Sequence, residues 1–341
     1  MDISEFDYEL PEDLIAQEPI ERRDESRLMV IRKESEEVSH RNFKDLVEYL
    51  KPGDALVVND TRVIPARLLG LKAGTGAQVE VLLLTRKGLR RWEALVRPGR
   101  RLPVGTRIVF GEGLLECDVL DKTSFGGRLV EFTFEGPFEE VLERVGSTPL
   151  PPYIKKPLAD RQRYQTVYAR QDGSAAAPTA GLHFTPELLE QVRSRGVTIA
   201  PLLLHVGLGT FRPVQAGDIR RHRMHEEYYQ IGEETARVIA KTRHRGGRVV
   251  AVGTTTTRCL ESAVGDDGQV SPGSGWTSIF IYPGYQFKVV DALVTNFHLP
   301  KSTLVMMVSA LAGREKILSA YREAIRRRYR FFSFGDAMLI I

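Results

Sequence analysis

The chain has 341 residues, 42% of them hydrophobic and 27% charged, with a formal net charge of +4. Such a length and apolar content describe a soluble globular protein of one large or two ordinary domains, each able to bury a core. Cys117 and Cys259 stand far apart without a CxxC partner, which excludes a disulfide framework and a thiolate metal site. The start MDISEFDYELPEDL is acidic and broken by proline, unlike a signal peptide, and no apolar run is long enough to span a bilayer, so a cytoplasmic protein is expected.

Taken in chain order, DALVVND reads as a buried strand ending at Asp60. From there to Leu150 the texture changes to short β-like runs, ARLLGL, QVEVLLL, WEALV, TRIVF, LLECDVL and RLVEFTF, parted by glycine-rich or charged turns. Closely spaced strands of this kind predict a small antiparallel barrel. GSTPLPPYIKKP, residues 146 to 157, carries four prolines and reads as a stiff connector leaving that barrel.

Strand and helix then alternate. TPELLEQVRSRG reads as a helix with Thr185 as N-cap and Gly196 as stop, VTIAPLLLHVG as a strand, EETARVIAKTRHRG as a helix, RVVAVGT as a strand and TTRCLESAV as a helix. An aromatic β segment from Ile279 is expected to lead into the strand VVDALVTNF, followed by the helix STLVMMVSALAG. The expected fold is α/β: a mixed-sheet α/β domain, 1–61 and 151–341, interrupted by a small antiparallel β-barrel domain, 62–150.

In α/β sheets chemistry gathers where strands end and backbone N–H groups are free. Five such places are unusually rich. Asp60 and Arg62 follow the first strand directly, where an Asx-type turn is the plain alternative. His205 ends an apolar run before Gly207, Gly209 and Thr210, a turn slim enough for a ligand to approach, or simply a tight one. Thr254, Thr255, Thr256 and Thr257, followed by Arg258, open a helix and supply more hydroxyls than one cap needs.

The fourth place combines Phe280 and Tyr282 with Asn296, Phe297 and His298, giving aromatic faces suited to a flat base or a sulfonium beside a histidine that Pro300 and the cap Ser302 hold at a mouth. Each aromatic taken singly is also a core residue. The fifth is AAAPTAGLHFTPELLE, residues 175 to 190, where Thr179, Gly181 and His183 precede a helix start whose partial positive charge favours a neutral imidazole. A hydrophobic staple by Leu182 or Phe184 is the structural alternative there.

His222 and His225 in HRMHEEYY lack the HExxH spacing and sit among arginines that repel a cation, so no metal is expected. Neither a Walker motif, a GxGxxG fingerprint nor a nucleophile elbow is present. Basic clumps at RKGLRR, RPGRR, RRHRMH, RHRGGR and RRRYR are each ordinary solvated faces, yet five together fit one phosphate-rich partner, RNA in particular.

The strings NDTRVIPARL, YQTVYA, AAPTAGLHF, LHVGLGTFRPV, HRMHEEYY, VVAVGTTTTRCLES, IFIYPGYQFKVVDALVTNFHLPKSTL and YRFFSFGDAMLI closely resemble the S-adenosylmethionine:tRNA ribosyltransferase-isomerase family of queuosine biosynthesis, over essentially the whole chain. The GTTTTR string departs locally from the family's pattern, at the helix cap. The resemblance implies an α/β domain interrupted by a small barrel. It also implies a reaction: the ribosyl portion of S-adenosylmethionine moves onto 7-aminomethyl-7-deazaguanine at the tRNA wobble position and is isomerised to epoxyqueuosine, releasing adenine and methionine. No bound cofactor is implied; S-adenosylmethionine is a co-substrate, and tRNA carrying the modified base is the partner.

Matched to that reaction, Asp60, His183 and His298 are candidates for the base that takes a proton beside the sulfonium, and His205 or His225 for the donor to departing adenine. Phe280, Tyr282 and Phe297 are candidates for stacking on a base, Thr254 to Thr257 with Arg258 for the methionine carboxylate, and Gly207 to Thr210 for the ribose. Two other classes stay open. A methyltransferase would use the same co-substrate, and a non-catalytic RNA-binding protein would explain the arginines.

Overall fold

The five residues of 55–59 carry no polar break before Asn59 and form a strand buried along its whole length, as a sheet covered on both faces requires. In the computed structural model, which describes residues 1–123, 126–207, 217–222 and 224–341, this strand is β3 (Ala55–Asn59), preceded by β1 (Arg27–Ile31) and β2 (Val38–Asn42). The chain divides into two compact units, Met1–Thr61, Pro151–Gln171 and Ala177–Ile341 in one, Arg62–Leu150 and Asp172–Ala176 in the other.

After the short strand β4 (Thr61–Val63), the second unit is built from β5 (Arg67–Lys72), β6 (Gln78–Arg86), β7 (Arg91–Arg97), β8 (Arg107–Phe110), β9 (Leu115–Lys122) and β10 (Arg128–Thr133). These six pair antiparallel in the order β5-β6-β7-β10-β9-β8, and β8 returns to β5 to close a barrel. Burial alternates along β6, β7 and β9, so Val79, Val81, Leu83, Trp92, Cys117 and Val119 fill the interior while their neighbours face out. Helix α1 (Phe138–Val145) lays Phe138, Val141 and Leu142 into the same core, and β11 (Gly146–Ser147) adds to β5.

The remaining strands are β12 (Gln171–Ser174), which pairs with β4, and β13 (Thr198–Leu204), β14 (Glu227–Ile231), β15 (Val249–Val252), β16 (Gly273–Thr277), β17 (Ala292–Asn296) and β18 (Ala337–Ile340). The large sheet has the order β16-β14-β13-β3-β15-β17-β18-β1-β2. Its centre, β13-β3-β15-β17, is parallel; β14, β16, β18 and β2 enter antiparallel to a neighbour, making the sheet mixed. From β3 the chain goes to β13 on one side and then to β15 on the other, so the strand order reverses at β3. A crevice at the carboxyl ends is the geometric consequence.

Helices α2 (Pro186–Ser194), α3 (Glu233–His244), α4 (Thr254–Ala263), α5 (Thr303–Ala312) and α6 (Arg314–Arg326) complete this unit. Thr185 caps α2 by accepting from the Leu188 N–H at 3.1 Å, and Ser302 caps α5 by accepting from the Val305 N–H at 3.3 Å. Leu188, Leu189 and Val192 of α2 join Leu56, Val58, Val250, Val252 and Val294 in one core on a face of the sheet.

The expected aromatic strand from Ile279 is not a strand. Residues 278–291 run as an irregular segment, because their donors turn to a side chain instead of a ladder. The buried Glu261 carboxylate of α4 accepts from the N–H groups of Lys288 at 2.9 Å, Val289 at 3.1 Å and Val290 at 2.9 Å and from the Tyr285 hydroxyl at 3.0 Å. Pro283 and Gly284, the latter at φ 103°, make the turn within it.

Candidate active site

Three parallel strands end at one place. Val206 beyond β13, Gly253, Thr254 and Thr255 beyond β15, and Thr295 and Asn296 of β17 line a cleft of about 650 Å³, its open mouth included. Ala177, Pro178, Thr179 and Ala180 form a second wall, and Tyr153, Phe297, His298, Leu299, Ser302, Leu304, Phe332 and Ser333 complete it.

Gly253 starts α4 at φ 90°, a conformation that favours glycine, and among the described residues no side chain caps the helix. The N–H groups of its first turn therefore face the cleft with the positive end of the helix dipole. The four threonines divide. Thr256 donates back to the Val252 carbonyl at 2.6 Å and Thr257 to the Gly253 carbonyl at 3.2 Å, while Thr254 and Thr255 line the cleft. Binding by Thr256 is thereby corrected to helix-internal bonding.

Arg258, one turn further on, is corrected as well. It is 3% exposed and ion-paired through Nη1 with Glu227, whose other oxygen accepts from the Gly207 N–H at 2.9 Å. Gly207 is thus held by a buried carboxylate. Gly209 and Thr210 lie outside the described residues.

Among the five catalytic candidates, His298 is the one that lines the cleft. Its Nε2 meets the Thr295 hydroxyl at 2.9 Å, its N–H donates to the Tyr321 hydroxyl at 3.1 Å, and its carbonyl accepts from Tyr8. Burial pushes its pKa down to about 3, so the ring is neutral.

His183 lies behind the wall, 4% exposed and stacked on Phe43 at 4.8 Å between ring centroids. Burial first, then the positive charges of Arg330 and Arg23, hold its pKa down at about 3. His205 is half-buried against Tyr228, contacts the Thr61 hydroxyl at 2.9 Å, and has its pKa pushed down to about 4 by burial. His225 is exposed and does not line the cleft. Held neutral by burial, the rings of His183, His205 and His298 each keep a single N–H as donor.

Asp60 is buried where β3 ends, and burial raises its pKa against the opposing pull of Arg170 and of the Gln171 amide, 3.4 Å away. Its neighbour Asn59 reaches the cleft wall, with Nδ2 3.4 Å from Thr255 Oγ1. Arg62 belongs to the barrel unit, half exposed and 3.6 Å from Asp172, and lines no part of the cleft. Phe297 is among the residues that line the cleft, while its ring is fully buried and packed on Tyr321, Tyr329 and Phe331. Phe280 and Tyr282 pair at 5.0 Å on the irregular segment and, half-buried, line no part of the cleft.

The stretch AAAPTAGLHF explains itself locally. Ala177 and Ala180 keep the wall thin, and a Cβ on Gly181 would come 2.1 Å from Tyr168 Oη and 2.8 Å from Thr166 Cγ2, so only glycine lets this turn close. Sequence reasoning missed Tyr153 and Ser333, joined by a 2.7 Å hydrogen bond across the cleft's far side, and Phe332, held at φ 70°. A tyrosine inside the proline-rich connector was the available signal.

Many arginines of the basic clumps already hold partners: Arg86 with Glu139 at 3.0 Å, Arg91 with Glu131 at 2.7 Å, Arg220 with Asp218 at 2.7 Å and Arg328 with Asp13 at 2.5 Å. Among the described residues no three His, Cys, Asp or Glu side chains gather as a metal site, and no helix is long and apolar enough to cross a membrane.

Comparisons with known proteins agree over the full length. A relative from Pelotomaculum thermopropionicum, described as S-adenosylmethionine:tRNA ribosyltransferase-isomerase, is 72% identical over 100% of both chains. A second of the same description, from Desulforamulus reducens, is 62% identical over 100% of both. The crystal structure of the S-adenosylmethionine tRNA ribosyltransferase from Thermotoga maritima is similar with a TM-score of 0.58 at 45% identity, covering 99% of this chain and 100% of that one. With the profile of the family described as Queuosine biosynthesis protein matching residues 3–340, the chain belongs to that family.

Proposed function

We propose that the protein transfers and isomerises the ribosyl moiety of S-adenosylmethionine onto 7-aminomethyl-7-deazaguanine at the wobble position of tRNA, with release of adenine and methionine. It is a transferase-isomerase of queuosine biosynthesis, as its full-length relatives are named. The observation that carries the reading is the cleft at the carboxyl ends of three parallel strands, joined to the start of α4.

S-adenosylmethionine occupies this cleft. Its methionine carboxylate lies at the free N–H groups and hydroxyls of Thr254 and Thr255, where the helix dipole favours an anion. The sulfonium acidifies the ribose methylene beside it, so a positioned base starts the reaction. We assign that role to Asp60, which does not line the cleft but follows Asn59 at its wall: burial makes its carboxylate more basic, whereas burial makes His298 less basic. His298 acts as a neutral hydrogen-bonding group on the wall. The anticodon base is splayed out of its loop to reach the same cleft.

The test is incubation of the purified protein with S-adenosylmethionine and tRNA carrying 7-aminomethyl-7-deazaguanine, followed by mass spectrometry of small molecules and nucleosides. Adenine, methionine and epoxyqueuosine appearing together are the expected result. S-adenosylhomocysteine in their place would make the protein a methyltransferase and overturn the reading.

A further inference from the structure

A chain of buried polar side chains runs from the entrance of β1 to the cleft. Ser26 Oγ lies 3.2 Å from the Arg23 carbonyl and 2.7 Å from His183 Nδ1; His183 Nε2 lies 3.1 Å from Asn296 Nδ2; and Asn296 Oδ1 lies 3.1 Å from Thr179 Oγ1. Ser26, His183 and Asn296 are 1%, 4% and 3% exposed, and Thr179 is the half-buried end that lines the cleft.

The direction of these bonds follows from the first one. A carbonyl oxygen can only accept, so the Ser26 hydroxyl spends its one proton on Arg23 and must accept from His183. His183 therefore carries its proton on Nδ1. The Arg23 carbonyl also favours a proton on this ring, and the buried ring holds only one. Nε2 is left as an acceptor, which the Asn296 amide meets with its NH2 group, turning its oxygen toward Thr179. The Thr179 hydroxyl then gives its proton to Asn296. What remains toward the cleft is a pair of lone pairs.

We propose that this one-way chain, anchored on the Arg23 carbonyl, presents Thr179 to the cleft as an obligate hydrogen-bond acceptor that selects a hydroxyl or ammonium donor on the ligand, with His183 as a positioning residue. This role replaces the expected one of His183 as a base. The inference rests on the reading above only for the ligand's identity: in S-adenosylmethionine the matching donors are a ribose hydroxyl and the α-ammonium group.

Two measurements on the full-length protein decide it. In protein labelled with 15N at histidine, two-bond proton–nitrogen correlations report the tautomer, and the His183 signals are identified by their loss in His183→Gln. The expected pattern is a protonated Nδ1 and a bare Nε2; the opposite tautomer overturns the proposal without reference to any ligand. Second, Thr179→Val removes the acceptor while keeping the shape, and Thr179→Ser keeps it. The Val variant should bind S-adenosylmethionine about tenfold more weakly, the worth of one good hydrogen bond, with Ser restoring affinity. Equal affinity in the Val variant and wild type overturns the acceptor role. Ala180→Leu, which fills the wall, separates the two readings. If it binds S-adenosylmethionine normally, the co-substrate lies elsewhere and its proposed placement in this cleft fails, while the tautomer still decides the chain.

Discussion

The barrel unit and the α/β unit solve opposite problems with similar β-rich material. Among the described residues of the barrel segment 62–150 the buried polar or charged ones are Thr106 and Arg128, and each guanidinium nitrogen of Arg128 donates to a carbonyl, that of Leu102, Gly99 or Gly127. In the α/β unit the ends of β3, β15 and β17 bury Asn59, Asp60, Thr61, Thr254, Thr255, Thr295, Asn296 and His298 within a few residues of one another. Burying polar groups costs stability unless each is satisfied. The barrel spends its interior on stability, and the sheet ends give some of theirs to a cleft.

The sharpest way to break that contrast is at Asp60. Its raised pKa means that the unfolded chain ionises at lower pH than the folded one, so the charge at neutral pH opposes folding. Asp60→Asn is expected to lower turnover by about 10²–10⁴-fold, the usual worth of a positioned base, while leaving stability equal or higher. Adenine release and urea denaturation measured on one preparation check it. A variant that lost stability and kept turnover would make Asp60 a structural residue like Arg128.

The converse holds in the barrel. Phe132 is fully buried between Phe110 and Phe138, with ring centroids at 6.4 and 5.5 Å. Phe132→Ala should cost about 3–5 kcal/mol of stability by opening a cavity. S-adenosylmethionine affinity per folded molecule should not change. A smaller effect is expected at Gly181, where an added methyl meets Tyr168 Oη and Thr166 Cγ2; Gly181→Ala should cost about 1–3 kcal/mol and weaken S-adenosylmethionine binding, because the cleft wall must shift to admit it. Thermal denaturation and equilibrium binding on the same variant separate the two effects.

What was legible in the sequence follows the same division. All six closing strands of the barrel could be read because an interior filled by alternate residues imprints a period of two on each run. In the α/β unit β3, β13, β15 and β17 were legible as apolar runs, and the cleft was legible as a place, through Thr254, Asn296, His298 and AAAPTAGLHF. The aromatic segment was misread because Glu261, 18 residues upstream of Ile279, takes the donors a ladder would use. Beyond local reach were β1 and β18, which pair in parallel from opposite ends of the chain. Ser26 was also beyond it, since nothing in its surroundings in sequence points to a histidine 157 positions away. His183 was correctly placed at a helix start, but its depth depends on Phe43 and the chain of partners, which are tertiary facts.

The buried histidines give the smallest and most distributed prediction. Burial holds His183 and His298 at about 3 and His205 at about 4, against 6.5 for a free side chain. Below about pH 6.5 the unfolded chain takes up protons that the folded rings refuse, so stability is full above that pH and is lost as pH falls toward about 3. Each ring contributes a slope of at most about 1.4 kcal/mol per pH unit, and the raised pKa of Asp60 works against them at the acid end. Denaturation midpoints followed from neutral to acid pH should decline, and His183→Gln should remove one ring's share of the slope even if it is less stable at neutral pH. An unchanged slope in that variant would mean that His183 titrates normally in the folded protein, and the α/β unit would then bury fewer uncharged polar groups at its sheet ends than its contrast with the barrel requires.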